Sequence, residues 1–175
     1  MITRFFTKDD AVSEAVYSDC ENYRYSLTRI WEERGARALF VMLNPSTATE
    51  IQNDPTVERC ERRARALGFG GFRVTNIFAW RDTDPQKMRA AADPIGPMND
   101  ETIRQSAVDW VRDGKDQIVC AWGAHGDHLL RGTSVEKILR NTGKDLYSLG
   151  LTKQGHPKHP LYIGYSVQPE IWHPR

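Results

Sequence analysis

The stretch Ala38-Leu39-Phe40-Val41-Met42-Leu43-Asn44-Pro45-Ser46-Thr47 decides the fold. Its apolar half shows no alternation, which is the pattern of a strand covered on both faces, as in a parallel sheet between helices. The run stops within one residue at Asn44. Pro45 then fixes φ and removes a backbone donor, so a stiff polar turn follows a buried strand.

Upstream, Tyr23 to Trp31 alternates Tyr23, Tyr25 and Leu27 against Arg24, Ser26 and Thr28, the period of a half-buried strand. It reads as one arm of an N-terminal β-hairpin over about residues 16–34. Downstream, Asp54 is an N-cap and Pro55 the first residue of a helix whose inner stripe is Val57, Cys60, Ala64 and Leu67, ended by Gly68 or Gly70. Phe72 to Phe78 is the next strand, with Asn76 near its carboxyl end. A short helix around Gln86 to Ala91 and a longer one from about Asp100 to Arg112 follow, the latter burying Ile103, Ala107, Trp110 and Val111. Gln117 to Trp122 is another buried strand, closed by Gly123-Ala124-His125-Gly126. Thr133-x-x-Glu136 has the form of a capping box opening a helix through Leu139, and Asp145 to Leu149 is a last core strand. Strands that alternate with helices predict a mostly parallel sheet with helices on both faces, and in such sheets ligands bind outside the carboxyl ends of the strands.

At 175 residues the chain suits one α/β domain over 1–175, with a core at about 38–162. Lys plus Arg total 24 against 23 for Asp plus Glu, so a nucleic-acid footprint, if present, has to be local. Cys20, Cys60 and Cys120 form no CxxC pair, which argues against a zinc ribbon or an iron–sulfur cluster; an odd, widely spaced set reads as reduced thiols in a cytoplasmic protein. Cys60 and Cys120 lie in apolar contexts and are expected in the core. No apolar signal or membrane-spanning run is present in the sequence. His125 and His128 stand three apart but have no obvious further ligands nearby, so neither a metal nor a cofactor is expected.

Polar groups converge on the strand ends. Asn44 can hold an amide at a fixed place beside Ser46, or make only the local hydrogen bonds of an Asx-Pro turn. Asn is depleted in strands, so Asn76 has to find partners there or present its donor and acceptor to a planar ligand. His156 and His159 lie among three prolines and near Lys153 and Lys158, where an imidazole can donate to a developing anion or bind phosphate. Arg59, Arg62, Arg63 and Arg65 form the densest cationic cluster; Arg59, Arg62 and Arg63 are the candidate phosphate contacts, and a solvated helix face is the alternative. Gly68-x-Gly70-Gly71 follows a helix and precedes a strand, the reverse of a dinucleotide loop.

Four strings, in order, resemble motifs of the uracil-DNA glycosylase superfamily. Leu43-Asn44-Pro45-Ser46 looks like its water-activating motif, Val74-Thr75-Asn76 like its base-reading strand end, Cys120-Ala121-Trp122-Gly123 like its LWG strand end, and His156-Pro157-Lys158-His159-Pro160-Leu161 like its HPSPL loop with one extra residue. A closer likeness, around Tyr23-Arg24-Tyr25-Ser26, Met42-Leu43-Asn44-Pro45-Ser46-Thr47-Ala48, Asp54-Pro55-Thr56 and Gly155-His156-Pro157, is to a bacterial and phage family labelled a domain of unknown function.

The superfamily resemblance implies a three-layer α/β/α fold and hydrolysis of the N-glycosidic bond of a flipped, modified base in nucleic acid or nucleoside. It implies that Asn44 positions the water, and that Ser46, Asn76, Trp122 and Leu161 contact the substrate. His156 or His159 would stabilise the leaving base. Pro157 favours His156 as the donor, with Leu161 as a wedge beside the flipped base, although His159-Pro160-Leu161 fits the end of the motif. No aromatic closely follows Asn44-Pro45-Ser46, where that superfamily often stacks the base. Two further readings stand beside hydrolysis: a module that binds a nucleotide or modified base without chemistry, and an assembly protein with a relic pocket.

Overall fold

The computed structural model describes residues 1–112 and 114–174. Among these residues, eight strands make one sheet in the order β1 (Ile2–Lys8), β2 (Ala11–Tyr17), β3 (Arg24–Ile30), β5 (Gly71–Asn76), β4 (Arg37–Met42), β6 (Gln117–Cys120), β7 (Leu146–Ser148), β8 (Glu170–Ile171). Strands β5, β4, β6 and β7 run parallel. The meander β1-β2-β3 is antiparallel and joins β5 through β3, and β8 pairs antiparallel with β7.

The sheet is therefore mixed, a correction to the mostly parallel sheet expected from the alternation of strands and helices. Asp9 and Asp10 alone connect β1 to β2, and a connection that short joins only antiparallel neighbours. The N-terminal hairpin also begins earlier than expected: its arms are β2 and β3, while 31–34 is loop. Strand β1 escaped the sequence reading because it is an edge whose residues stay largely exposed, Phe5 and Phe6 included.

Helix α1 (Pro55–Ala66) starts as its sequence predicts, with Asp54 accepting from the Val57 amide at 2.8 Å. It buries Val57, Cys60 and Ala64 against Phe40, Met42, Phe72 and Val74 on one face of the sheet. Helix α2 (Pro85–Ala90) follows β5 and is capped by Asp84. Helix α3 (Asn99–Gln105), continued by a π-helical turn over Ser106–Trp110, and helix α4 (Arg131–Arg140) bury Ile103, Ala107, Val135 and Leu139 against Leu39, Val41, Ile118 and Leu146 on the other face. Each Val, Leu or Ile side chain taken fully from water contributes about 1.5–3 kcal/mol. Cys60 and Cys120 are buried as expected, and Cys20 is exposed.

The capping box read at Thr133 and Glu136 is not used. Helix α4 begins two residues earlier, at Arg131, after Leu130 in the left-handed conformation at φ 52°. Arg131 is buried and donates to the Ile77 carbonyl at 2.6 Å while pairing with Asp100, so a tertiary contact sets the start of the helix. Glu136 instead binds Arg140, one turn on.

The connections set where a ligand can enter. Helix α1 carries the chain from β4 to β5, and α4 carries it from β6 to β7 in the opposite direction across the sheet. Neighbouring strands whose connections diverge leave a crevice at their carboxyl ends. By that rule the switch point falls between the ends of β4 and β6.

Candidate functional site at the carboxyl ends of the parallel strands

Asn44 leaves the sheet two residues beyond Met42, and Asn76 is the register partner of Met42 on β5. The two amides meet different fates. Asn44 is half-buried and donates through Nδ2 to the Asp82 carbonyl at 2.8 Å and to the Pro45 carbonyl at 3.1 Å. Its Oδ1 accepts nothing among the described residues, so the amide is anchored by its nitrogen with its acceptor still free. Asn76 is 1% exposed, and its Nδ2 has no partner among the described residues.

Arg24 sets the orientation of Asn76. The pairing of β2 with β3 slips so that Val16 faces Ser26 but Tyr17 faces Arg24, leaving Tyr25 as the extra residue of a β-bulge. The bulge turns Arg24 to the α1 face, where it donates to the Ala48 carbonyl at 2.9 Å and to Asn76 Oδ1 at 3.5 Å. A guanidinium has donors only, so the Asn76 oxygen must face it and the amide nitrogen points elsewhere. Burial pushes the Arg24 pKa down to about 10, against the pull of Asp54. Arg29 grips the same loop through the Thr49 carbonyl at 2.7 Å and Asn53 Oδ1 at 3.0 Å. Tyr17 closes it by donating to Glu50 at 2.8 Å, and burial, with that bond, pushes its phenol up to about 12. The loop carrying Asn44 and Ser46 is thus held by β2 and β3, which no local motif foretells.

The two histidines part company. The Leu161 amide donates to His159 Nδ1 at 3.3 Å, which leaves the proton of a neutral ring on Nε2. Burial pushes the His159 pKa down to about 4, although Asp54 attracts the charged form. His159 packs on Gly123, the glycine that follows β6 at φ 73°; a Cβ there would sit 3.3 Å from that of His159. His159 therefore stands beside the end of β6 as a neutral ring with its proton on Nε2. His156 instead lines a cavity of about 160 Å³ with Trp122, Thr133, Glu136 and Trp172, beside α4.

Trp122 is 2% exposed and edge-on to Trp172 at 5.6 Å, with Gly126 and Gly132 pressed against its indole. It packs into the core and forms one wall of the cavity that His156 lines. Leu161 is half-buried in the turn Pro160–Tyr162, whose protruding side chain is Tyr162. His125 faces the Arg89 guanidinium at 3.4 Å, while His128 packs on Phe78.

The arginine face needs a larger correction. Arg63 is 1% exposed and donates to the carbonyls of Ile163, Gly164 and Val167. Arg59 donates to Ile163 at 2.6 Å and to Pro160 at 3.2 Å, over the Tyr165 ring. Both bind the tail that follows His159, so most of their donors are taken up by its carbonyls. Arg62 alone of the three is well exposed, and it pairs with Glu58 at 2.9 Å.

Beside Asn44 the fold builds an open cleft of about 460 Å³, lined by Asn22, Ser46, Thr47, Trp80, Arg81 and Asp82, among others. None of the clefts described is lined by Asn44, Asn76 or His159. Trp80 escaped the sequence reading because it lies 36 residues beyond Asn44; the signal was a Trp four residues past a strand-end Asn. It is fixed by a bridge to Tyr23 and edge contact with that ring at 5.5 Å.

These features define an α/β protein on a mixed sheet whose polar site is built at the ends of its parallel strands. The family described as "Protein of unknown function (DUF1643)" matches residues 24–161, and the chain belongs to it. That span starts at Arg24 and takes in Asn44, Asn76, His156 and His159. No curated protein and no solved structure matches the chain. No helix among the described residues is long and apolar enough to cross a membrane.

Proposed function

We propose that the chain hydrolyses the N-glycosidic bond of a modified nucleobase, carried in nucleic acid or as a nucleoside, in the manner of the uracil-DNA glycosylase superfamily it resembles. The observation that carries this reading is the His159 ring, packed on Gly123 at the end of β6 with Nδ1 accepting from the Leu161 amide, so that Nε2–H is its only donor. Cleavage makes the sugar oxocarbenium-like and puts negative charge on the leaving base, which a fixed neutral donor stabilises. In this reading Asn44, whose Nδ2 is held by the Asp82 carbonyl, uses its free Oδ1 to accept from a water and orient it. His159, rather than His156, is the donor in this reading.

The test is incubation with nucleosides and with DNA and RNA bearing varied modified bases, read as free base and abasic sites. Base release should fall by about 10² to 10³ in His159→Ala, as loss of one oriented donor does, and by only a few-fold in His156→Ala. Equal release from both variants and the parent would end the assignment.

A second reading, binding without chemistry, is favoured by one observation. No carboxylate among the described residues is hydrogen-bonded to the Asn44 side chain, and an amide takes no proton near neutral pH. Saturable binding with no base released would select it.

A further inference from the structure

We propose that the Trp80 cleft is a binding site for a free nucleoside, with the planar base on the indole and the ribose hydroxyls at Asp82. The cleft adjoins the Asn44 turn but is not lined by His159, so the proposal goes beyond the reading above and rests on it only for the choice of probes.

Three observations carry it. The first is size and place: about 460 Å³ lies within the range of small-molecule sites, and the cleft shares a wall with the Asn44 turn. Asn44 Nδ2 binds the Asp82 carbonyl, and the Asp82 amide returns to the Pro45 carbonyl at 3.0 Å. Ser46, two residues past Asn44, lines the cleft itself.

The second is its chemistry. Trp80 is held by Tyr23, so its ring is placed before a ligand arrives. Around it, the side chains of Asn22, Ser46 and Thr47 make no hydrogen bond among the described residues. Asp82 uses only Oδ1, towards the Asp84 amide at 2.9 Å. A stacking ring beside a free carboxylate oxygen, an amide and two hydroxyls matches a planar base carrying a hydroxylated sugar.

The third is charge. Glu21, also on the rim, is paired with Arg4, and Arg81 donates to the Glu21 carbonyl at 3.0 Å and lies over the Tyr17 ring. With Asp82 present the cleft offers no cationic excess to a phosphate. Arg59 and Arg63 are turned inward onto the tail, so no phosphate track leads to it.

The experiment is calorimetric titration of the full chain with adenosine, inosine, cytidine and uridine, their 2′-deoxy forms, their 5′-monophosphates and a mixed single-stranded decamer. At least one nucleoside should saturate below about 1 mM. Its monophosphate and the decamer should bind no tighter, and binding should be flat in salt. Trp80→Ala should weaken the nucleoside at least about tenfold, with Trp80→Phe within about threefold, which separates stacking from a folding defect. Asp82→Asn should narrow the preference for ribose over deoxyribose. The proposal is overturned if no nucleoside saturates, if Trp80→Ala binds as the parent does, or if the decamer binds more than about tenfold tighter with a steep salt slope. Nucleoside binding that needs Trp80 but releases no base would uphold the cleft and end the hydrolase reading. Base release that survives Trp80→Ala with nucleoside affinity unchanged would do the reverse.

Discussion

Asn44 and Asn76 end adjacent parallel strands with the same side chain, and their neighbours give them opposite roles. The carbonyls of Pro45 and Asp82 take the Asn44 nitrogen and free its oxygen, whereas Arg24 takes the Asn76 oxygen and leaves its nitrogen without a partner among the described residues. His159 shows the same dependence on its surroundings. Its pKa of about 4 lies below the ordinary value of 6.5 because burial disfavours the imidazolium. Between those two values the unfolded chain binds a proton that the folded chain does not. Folding stability should therefore fall as pH drops from 6.5 towards 4, by at most about 1.4 kcal/mol per pH unit. Chemical denaturation at pH 7.0 and 5.0 checks this: His159→Gln should flatten that part of the profile. An unchanged slope would mean that the ring is not buried neutral.

At the scale of the element, α1 was legible in sequence down to its cap, but the purpose of its arginines was not. A run Arg59, Arg62, Arg63, Arg65 reads as a solvated or phosphate-binding face. In the fold it is a seam: Arg59 and Arg63 stitch the segment 160–167 to α1, and Arg65 spans Asp10, Glu61 and the Trp31 ring. A hydrogen bond to a charged group contributes about 1.5–3 kcal/mol, and Arg63 makes three to carbonyls. Arg63→Ala should cost at least about 2 kcal/mol and speed chymotryptic cleavage after Tyr162 and Tyr165, because the tail loses its anchor. Arg62→Ala, on the exposed side of the same helix, should stay within about 0.5 kcal/mol. Similar losses for both would deny the seam. Strand β3 makes the complementary point, since its alternation was legible and its bulge, which aims Arg24 at the site, was not.

Across the whole molecule, the two faces of the sheet are closed by pieces distant in sequence. Trp172 follows the short edge strand β8, packs on Trp122 and donates its amide to the Leu146 carbonyl at 2.7 Å, completing the face that α3 and α4 cover. Tyr162, ten residues earlier, is 89% exposed. Truncating a buried Trp costs about 3–5 kcal/mol. For a chain of this size, Trp172→Ala should lower Tm by roughly 6–20 °C. Tyr162→Ala should leave Tm within about 2 °C. Scanning calorimetry of both variants decides; equal shifts would mean that Trp172 does not close the core.

The chain's own residues determined the parallel core, because an unbroken apolar run such as Ala38 to Leu43 is stable only when covered on both faces. They also determined the start of α1, since Asp54 and Pro55 act within one turn. They marked the strand ends where Asn44 and Asn76 sit. What lay beyond them was set by contacts across many residues: the bulge that aims Arg24, the tautomer and burial of His159, the inward turn of Arg59 and Arg63, and the approach of Trp80 to Ser46. Local pattern reports which face of an element is apolar, because that is a property of period. Which polar group meets which partner depends on how elements pack, and only the folded chain decides that.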